Sequence, residues 1–195
     1  MVSQFVSPDK VRLLGELDFE FPEGTHAIGR LDADSEGLLI LTTDKSVTRL
    51  LYNNPRPHQR TYLVMVQNQV TGDSLQRLKT GVTIKIESGK DYIAKPDHVE
   101  MILEPENLYP YSADERNKYP HSWLLITLSE GKFRQVRKMV LAIQHRCLRL
   151  IRLSIGNILL GDLPPGKIRE LSQDQFYKLT GIGGAATETK QDLYG

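Results

Sequence analysis

The stretch Gly29–Asp44, "GRLDADSEGLLILTTD", places Asp32, Asp34 and Glu36 two residues apart and follows them with Gly37 and an unbroken apolar run. Ahead of it, "THAIGRL" (25–31) has the composition of a short strand entering a polar turn. The run "GLLILTT" (37–43) has the pattern of a strand buried on both faces. A strand, an acidic turn and a second strand can serve as a calcium loop, as a catalytic carboxylate with its supports, or as a solvated connection. For a calcium loop, Asp32, Asp34, Glu36 and Gly37 fill positions 1, 3, 5 and 6, but position 12 is Thr43, which cannot chelate through two oxygens. Its flanks also read as strands where helices are required. A solvated turn is the favoured reading of the motif alone, since Asp, Ser and Gly are ordinary turn residues. Against it, Arg30 and Asp32 would share one face of a strand. The end of a strand that leads into a buried run is a rigid place to hold a working carboxylate.

Working outward, Asp44 suits an N-cap, and Val47, Leu50 and Leu51 carry helical spacing through Tyr52. "NNPRPH" (53–58) reads as a loop and "RTYLVMV" (60–66) as a strand, from its β-branched and aromatic content. A helix is predicted from Thr71 to Leu78, ended by Gly81. Weaker strands follow in "VTIKI", "DYIAKP" and "HVEMILE". Residues 105–121, rich in Pro, Tyr and charge, read as a long loop or insertion, because strand character resumes at "SWLLITL". Val136, Met139, Val140 and Ile143 repeat at helical intervals. "CLRLIRLSIGNILL" (147–160) reads as one or two strands with a turn or bulge at Gly156–Asn157. Ser172-x-x-Gln175 has capping-box spacing for a last helix, and residues 181–195 have the small, polar composition of a disordered tail. The sum is a mixed α/β chain dominated by strands.

Charge is balanced over the 195 residues, with Lys+Arg 25 against Asp+Glu 24, so bulk charge indicates no partner. It is not evenly spread. Between Glu130 and Arg152 the chain carries Lys132, Arg134, Arg137, Lys138, Arg146, Arg149 and Arg152 against the single acid Glu130. Arg134, Arg137 and Lys138 fall at i, i+3 and i+4, one face of a continuous helix. Such a run is commonly a solvated face; continued into a strand by Arg149 and Arg152, it also suits phosphate binding. These residues alone leave RNA, DNA and a phosphorylated metabolite open. Cys147 has no cysteine partner, and His26, His58, His98, His121 and His145 are scattered without metal-ligand spacing. No run approaches the roughly 20 apolar residues of a membrane span. "MVSQFVSPDK" lacks the basic and apolar regions of a signal peptide, which makes a cytoplasmic protein the expectation.

Taken in order, "GRLDADSEGLLILTTD", "RTYLVMV", "EGKFRQVRKM", and "LRLIRLSIGN" with "LPPGKIREL" resemble the RsuA/RluB/E/F family of ribosomal RNA pseudouridine synthases, from about Gly29 to Leu171. The resemblance implies an α+β catalytic fold: a largely antiparallel bent sheet with flanking helices, in two lobes about a central cleft. It implies one catalytic domain over residues 1–195, without the appended S4 domain of some members. The Pro/Tyr-rich insertion points to members that act on the large subunit. Residue by residue, Asp32 matches the catalytic aspartate, Tyr62 the tyrosine that packs against the target base, and Arg134 the basic partner of the aspartate. Arg30, Arg60, Lys132, Arg137 and Lys138 match positions expected to meet RNA. The sequence departs from the family at Arg60, where Lys is usual, and at Phe133, where Asn is usual. A family strand with a Lys-Pro signature falls upstream of Met1, so a shortened N-terminal strand is expected.

The implied reaction breaks the N1–C1′ bond of a uridine, turns the uracil and rejoins it through C5. Nothing is oxidised and no group is added, so no cofactor and no metal are expected. An ordinary Asp, with a pKa near ~3.9, is ionised at neutral pH; burial raises that value and a salt-bridging arginine lowers it by about 1–3 pH units. The expected partner is ribosomal RNA, as large-subunit RNA or a pre-subunit particle, acted on by a monomer without a membrane. Two other readings compete: a non-catalytic RNA-binding or ribosome-assembly protein using the same basic residues, and a metal-dependent enzyme built on Asp32, Asp34 and Glu36.

Overall fold

The computed structural model describes residues 1–52, 58–110 and 119–181. The loop expected at 53–58 therefore lies outside the described residues except for His58, as does the middle of the 105–121 insertion and the tail beyond Gly181.

The chain alternates short and long elements: β1 (His26–Ile28), β2 (Glu36–Gly37), β3 (Ile40–Thr42), α1 (Lys45–Tyr52), β4 (Arg60–Gln67), α2 (Gly72–Thr80), β5 (Val82–Lys85), β6 (Asp91–Ala94), β7 (His98–Ile102), β8 (His121–Leu128), α3 (Gln135–Ala142), β9 (Cys147–Ile155), β10 (Ile158–Leu159) and α4 (Gln173–Thr180). The frame is a six-stranded sheet in which β10, β9, β4, β8 and β7 lie in that order, all antiparallel, with β2 added in parallel to β9. Two smaller pairs, β1 with β3 and β5 with β6, complete an α+β fold.

Period-two alternation places the core. Along β4, Val64 and Val66 face one side and join Leu124, Ile126 and Leu128 of β8 with Met139 and Val140 of α3, all at most 1% exposed. Leu63 and Met65 face the other side and pack with Trp123 and Ile151. Both faces are covered, which is why this run reads as continuously apolar. Tyr62 lies on the α3 side of β4, at the margin of the larger core.

The caps expected at Asp44 and Ser172 form, and Thr71, expected as the first residue of its helix, stands ahead of it as the cap. Asp44 accepts from the Ser46 amide ahead of α1, Thr71 from Ser74 ahead of α2, and Ser172 with Gln175 closes a capping box on α4. One expectation fails in an informative way. "GLLILTT" is not one strand: Glu36 and Gly37 pair with β9, the chain then shifts, and Ile40 to Thr42 pair with β1. Gly37 has φ +103°, and a Cβ there would lie 2.3 Å from the Arg152 carbonyl oxygen. The tight, parallel approach to β9 breaks the run, and only glycine permits it.

Candidate active site

Beside β9 and the N-terminus of α3 the fold leaves an open groove of about 740 Å³. That is within the roughly 300–1,000 Å³ typical of small-ligand sites. Its walls come from three places: residues 2–4 and 29–32 on one side, Arg60 and Tyr62 at the end of β4, and the 128–136 segment that joins β8 to α3.

The 128–136 segment is shaped by Gln135, which is 4% exposed. Its side-chain oxygen accepts from the Lys132 amide (2.8 Å), and its side-chain nitrogen donates to Glu130 (2.7 Å). Glu130 also accepts from the Tyr92 hydroxyl, which raises the tyrosine's pKa. So clamped, the chain turns through Arg134 at φ +52°, ψ +35°, a left-handed conformation that costs a non-glycine residue about 1–3 kcal/mol and persists where neighbours over-determine it. The helix starts only at Gln135.

Arg134 reaches across the groove to the acidic turn, a hundred positions earlier in the chain. Its two terminal nitrogens donate to the two carboxylate oxygens of Asp34 at 2.9 and 2.8 Å, and its Nη1 lies 3.6 Å from Oδ2 of Asp32. One guanidinium is thus shared by two carboxylates, with Asp34 holding it by the fork geometry at which arginine is best. The Arg134 hydrogen bonds pull the Asp34 pKa below its ordinary 3.8, against burial, with the Arg137 charge assisting. The same contact raises the Arg134 pKa. Asp32 is 26% exposed at its side chain and lines the groove.

Three more arginines hold the acidic turn from below. Arg137 donates through Nη2 to the Asp34 carbonyl and to the Ser35 hydroxyl, with its side chain 12% exposed. Arg149, 3% exposed, donates from Nε and Nη2 to Glu36 at 2.7 and 2.8 Å. Arg152, 4% exposed, donates from Nε to the Leu38 carbonyl and from Nη1 to the Arg30 carbonyl. On the other flank the Ser3 hydroxyl donates to the Leu31 carbonyl and accepts from the Leu31 amide, both at 3.0 Å. The residue next to Asp32 is therefore fixed on both of its backbone polar groups.

The structure brings Asp32, Tyr62, Arg134, Arg30, Arg60 and Lys132 to the groove. It does not place Arg137 or Lys138 among the lining residues: Arg137 lies under the turn, and Lys138 sits with Nζ 5.3 Å from the centroid of the Phe133 ring. Arg134 precedes the helix in a left-handed turn, yet Arg134 and Arg137 still meet one carboxylate, Asp34, so their shared face holds the acidic turn, while Lys138 turns to Phe133. Sequence reasoning also missed the supporting parts: Asp34 as the seat of Arg134, and Ser3, Gln135 and Glu130 as braces. Only Asp34 carried a signal, its place in the acidic cluster. The three carboxylates do not converge: Glu36 turns to Arg149, and among the described residues no set of three His, Cys, Asp or Glu side chains is arranged to hold a metal ion. Cys147 is buried enough that desolvation pushes its thiol up to about 11, well out of the nucleophilic range at neutral pH.

A left-handed arginine presented from a helix start, a carboxylate beside it and a tyrosine at a strand end line one groove. Comparison with known proteins assigns the chain to a class. Residues 12–142 match the RNA pseudouridylate synthase family, and the chain belongs to that family. Among its relatives, a ribosomal large subunit pseudouridine synthase E of Vibrio vulnificus is 37% identical over 173 residues, 88% of this chain and 70% of that protein. A ribosomal small subunit pseudouridine synthase A of Escherichia coli is 32% identical over 171 residues, 87% of this chain and 65% of that one. A crystal structure of a pseudouridylate synthase superposes with a TM-score of 0.64 at 26% identity, covering 83% of this chain and 63% of that chain.

Proposed function

We propose that this chain converts a uridine of ribosomal RNA, in the large subunit or its precursor, to pseudouridine, with Asp32 as the catalytic carboxylate. The observation that carries the reading is the placement of Asp32 in the groove beside Arg134, with Tyr62 lining the same groove. The similarity to a large-subunit synthase supports the choice of RNA. The same reading has the protein working as a monomer in the cytoplasm; among the described residues no helix is long and apolar enough to cross a membrane.

The target nucleotide leaves its stack at a cost of a few kcal/mol. Tyr62 offsets part of that, since stacking of a base on an aromatic side chain contributes roughly 1–3 kcal/mol. In the groove the N1–C1′ bond breaks, the uracil turns, the C5–C1′ bond forms, and the C5 proton departs while N1 gains one, so atoms and charge balance. Asp32 acts on the ribose or the uracil at the moment the glycosidic bond is exchanged. Arg134 is a positioning residue: seated on Asp34, it fixes the direction of the Asp32 carboxylate and resists its turning away. Arg30, Arg60 and Lys132, all on the groove wall, meet the phosphates on either side of the target.

The test is tritium release from large-subunit RNA labelled at uracil C5, with the wild type beside Asp32→Asn. Release by the wild type should fall by about 10³-fold or more in the variant, as for loss of a nucleophile, with RNA affinity kept within a few-fold. Equal release by both would remove Asp32 from the chemistry. Binding without release by either would favour an RNA-binding protein.

A further inference from the structure

Phe133 sits between Lys132 and Arg134 on the lip of the groove and is 54% exposed. Lone exposed apolar residues are normal on a protein surface and need no function. This one differs in its surroundings. It lines the same groove as Asp32 and Tyr62, and the Lys138 ammonium lies 5.3 Å from its ring centroid. Among the described residues the aromatic contacts join other rings, Phe5 with Phe21, Phe19 with Phe21, His121 with Trp123 and Phe176 with Tyr177, and none uses Phe133. Its backbone is held by the same clamp that fixes Arg134, because the Lys132 amide and the Gln135 side chain close the turn around it. The turn that carries the ring is thus fixed, a cation lies against the ring, and the half-exposed side chain lines a groove that basic side chains also line.

We propose that Phe133 is a stacking platform for an unpaired nucleotide adjacent to the target uridine, a contact outside the Asp32–Tyr62–Arg134 site. It rests on the reading of this groove as an RNA site. An aromatic face flanked by cations is the usual device for holding a single-stranded nucleotide: the ring takes the base, the cations take the phosphates, and every base has a π-face to offer. Lys132, the preceding residue, is exposed on the same groove with its ammonium 5.0 Å from the Tyr92 ring centroid and supplies one such charge. Lys138, against the Phe133 ring, adds a cation–π contact that a base on the open side leaves intact. The platform therefore selects for unpaired structure next to the target rather than for a particular base. Tyr62 and Phe133 would hold successive nucleotides apart, one everted into the groove and one kept at its mouth.

The experiment is a binding cycle on the full chain. Short stem-loop transcripts of large-subunit RNA are screened, and the tightest is resynthesised with a single abasic nucleotide at each position flanking the target. Phe133→Ala should weaken binding of the intact RNA by about 5- to 30-fold, the lower part of the range for a base stacked on an aromatic ring. On one of the abasic RNAs the same substitution should cost less than about twofold, the signature of two groups that interact directly. Phe133→Tyr should restore binding of the intact RNA. An equal loss on every abasic RNA, or no loss on the intact one, overturns the platform. Tritium release by the wild type, run in parallel, separates this result from the catalytic reading: release with no Phe133 effect sinks the platform alone, and a Phe133 effect without release sinks catalysis alone.

Discussion

The acidic turn of Asp32 to Leu38 and the basic stretch of Lys132 to Arg152 look like matched surface features in the sequence, yet the fold treats them unequally. The basic stretch rides on α3 and β9, whose apolar side chains fill the main core. The acidic turn has almost no pairing of its own, a two-residue strand against β9, and is held in shape by Arg134, Arg137, Arg149 and Arg152. Hydrogen bonds to charged groups contribute about 1.5–3 kcal/mol each. The position of Asp32 is therefore set by the sheet and helix on the far side of the groove. Four basic side chains of that stretch, Arg134, Arg137, Arg149 and Arg152, bond to the acidic turn, while Lys132 lines the groove with Arg30 and Arg60.

The sharpest way to break this dependence is at Gly37. In Gly37→Ala the new Cβ would meet the backbone of Arg152 at 2.3 Å from its oxygen and 2.6 Å from its nitrogen, at a φ of +103° that alanine tolerates poorly. We expect a loss of about 3 kcal/mol in urea-monitored stability, the scale of strain at a special backbone site. Tritium release should fall beyond about 10²-fold, because a displacement of about 1 Å at a reacting group suffices for that. A variant as stable and active as the wild type would show that the acidic turn holds itself.

A smaller effect separates the two kinds of basic residue. Lys132→Ala should flatten the dependence of log affinity on log salt by about 0.7–0.9, one phosphate contact's worth. Arg137→Ala should leave that slope unchanged and lower turnover instead, since its guanidinium faces the Asp34 carbonyl and Ser35 under the turn. The reverse pattern would return Arg137 to the RNA and make the acidic turn independent of it.

Much of this was legible before any coordinates. The strand character of β4, the helical repeat of α3 and the caps of α1 and α4 follow from local pattern, and local pattern was enough. The meeting of Asp32 with Arg134 came from the resemblance, since nothing local ties residues a hundred positions apart. What stayed hidden had physical causes. Arg134 and Arg137 share a face, as their spacing suggests, but that face meets Asp34, a partner that spacing alone does not name. The break in "GLLILTT" depends on how closely β9 approaches Gly37, a tertiary fact. Ser3 works through two hydrogen bonds to Leu31, 28 positions away, and a single serine carries no pattern to announce it.

The smallest expected effect tests whether charge or shape seats Arg134. In the folded protein the Arg134 hydrogen bonds hold the Asp34 carboxyl below its ordinary 3.8, so the folded state binds that proton less readily than the unfolded chain does. The contribution to stability is then fully present above about pH 3.8 and is lost as pH falls through the folded-state value. Asp34→Asn lacks it at every pH. The melting temperature of the wild type should exceed that of the variant by a constant margin near neutrality, and the margin should close as the solution is acidified below 3.8. It will be modest, because the Asp34 side chain is 47% exposed and water screens the pair. A margin that persists in strong acid would mean the protonated carboxyl still holds the guanidinium, and that the acidic turn is matched to Arg134 by geometry more than by charge.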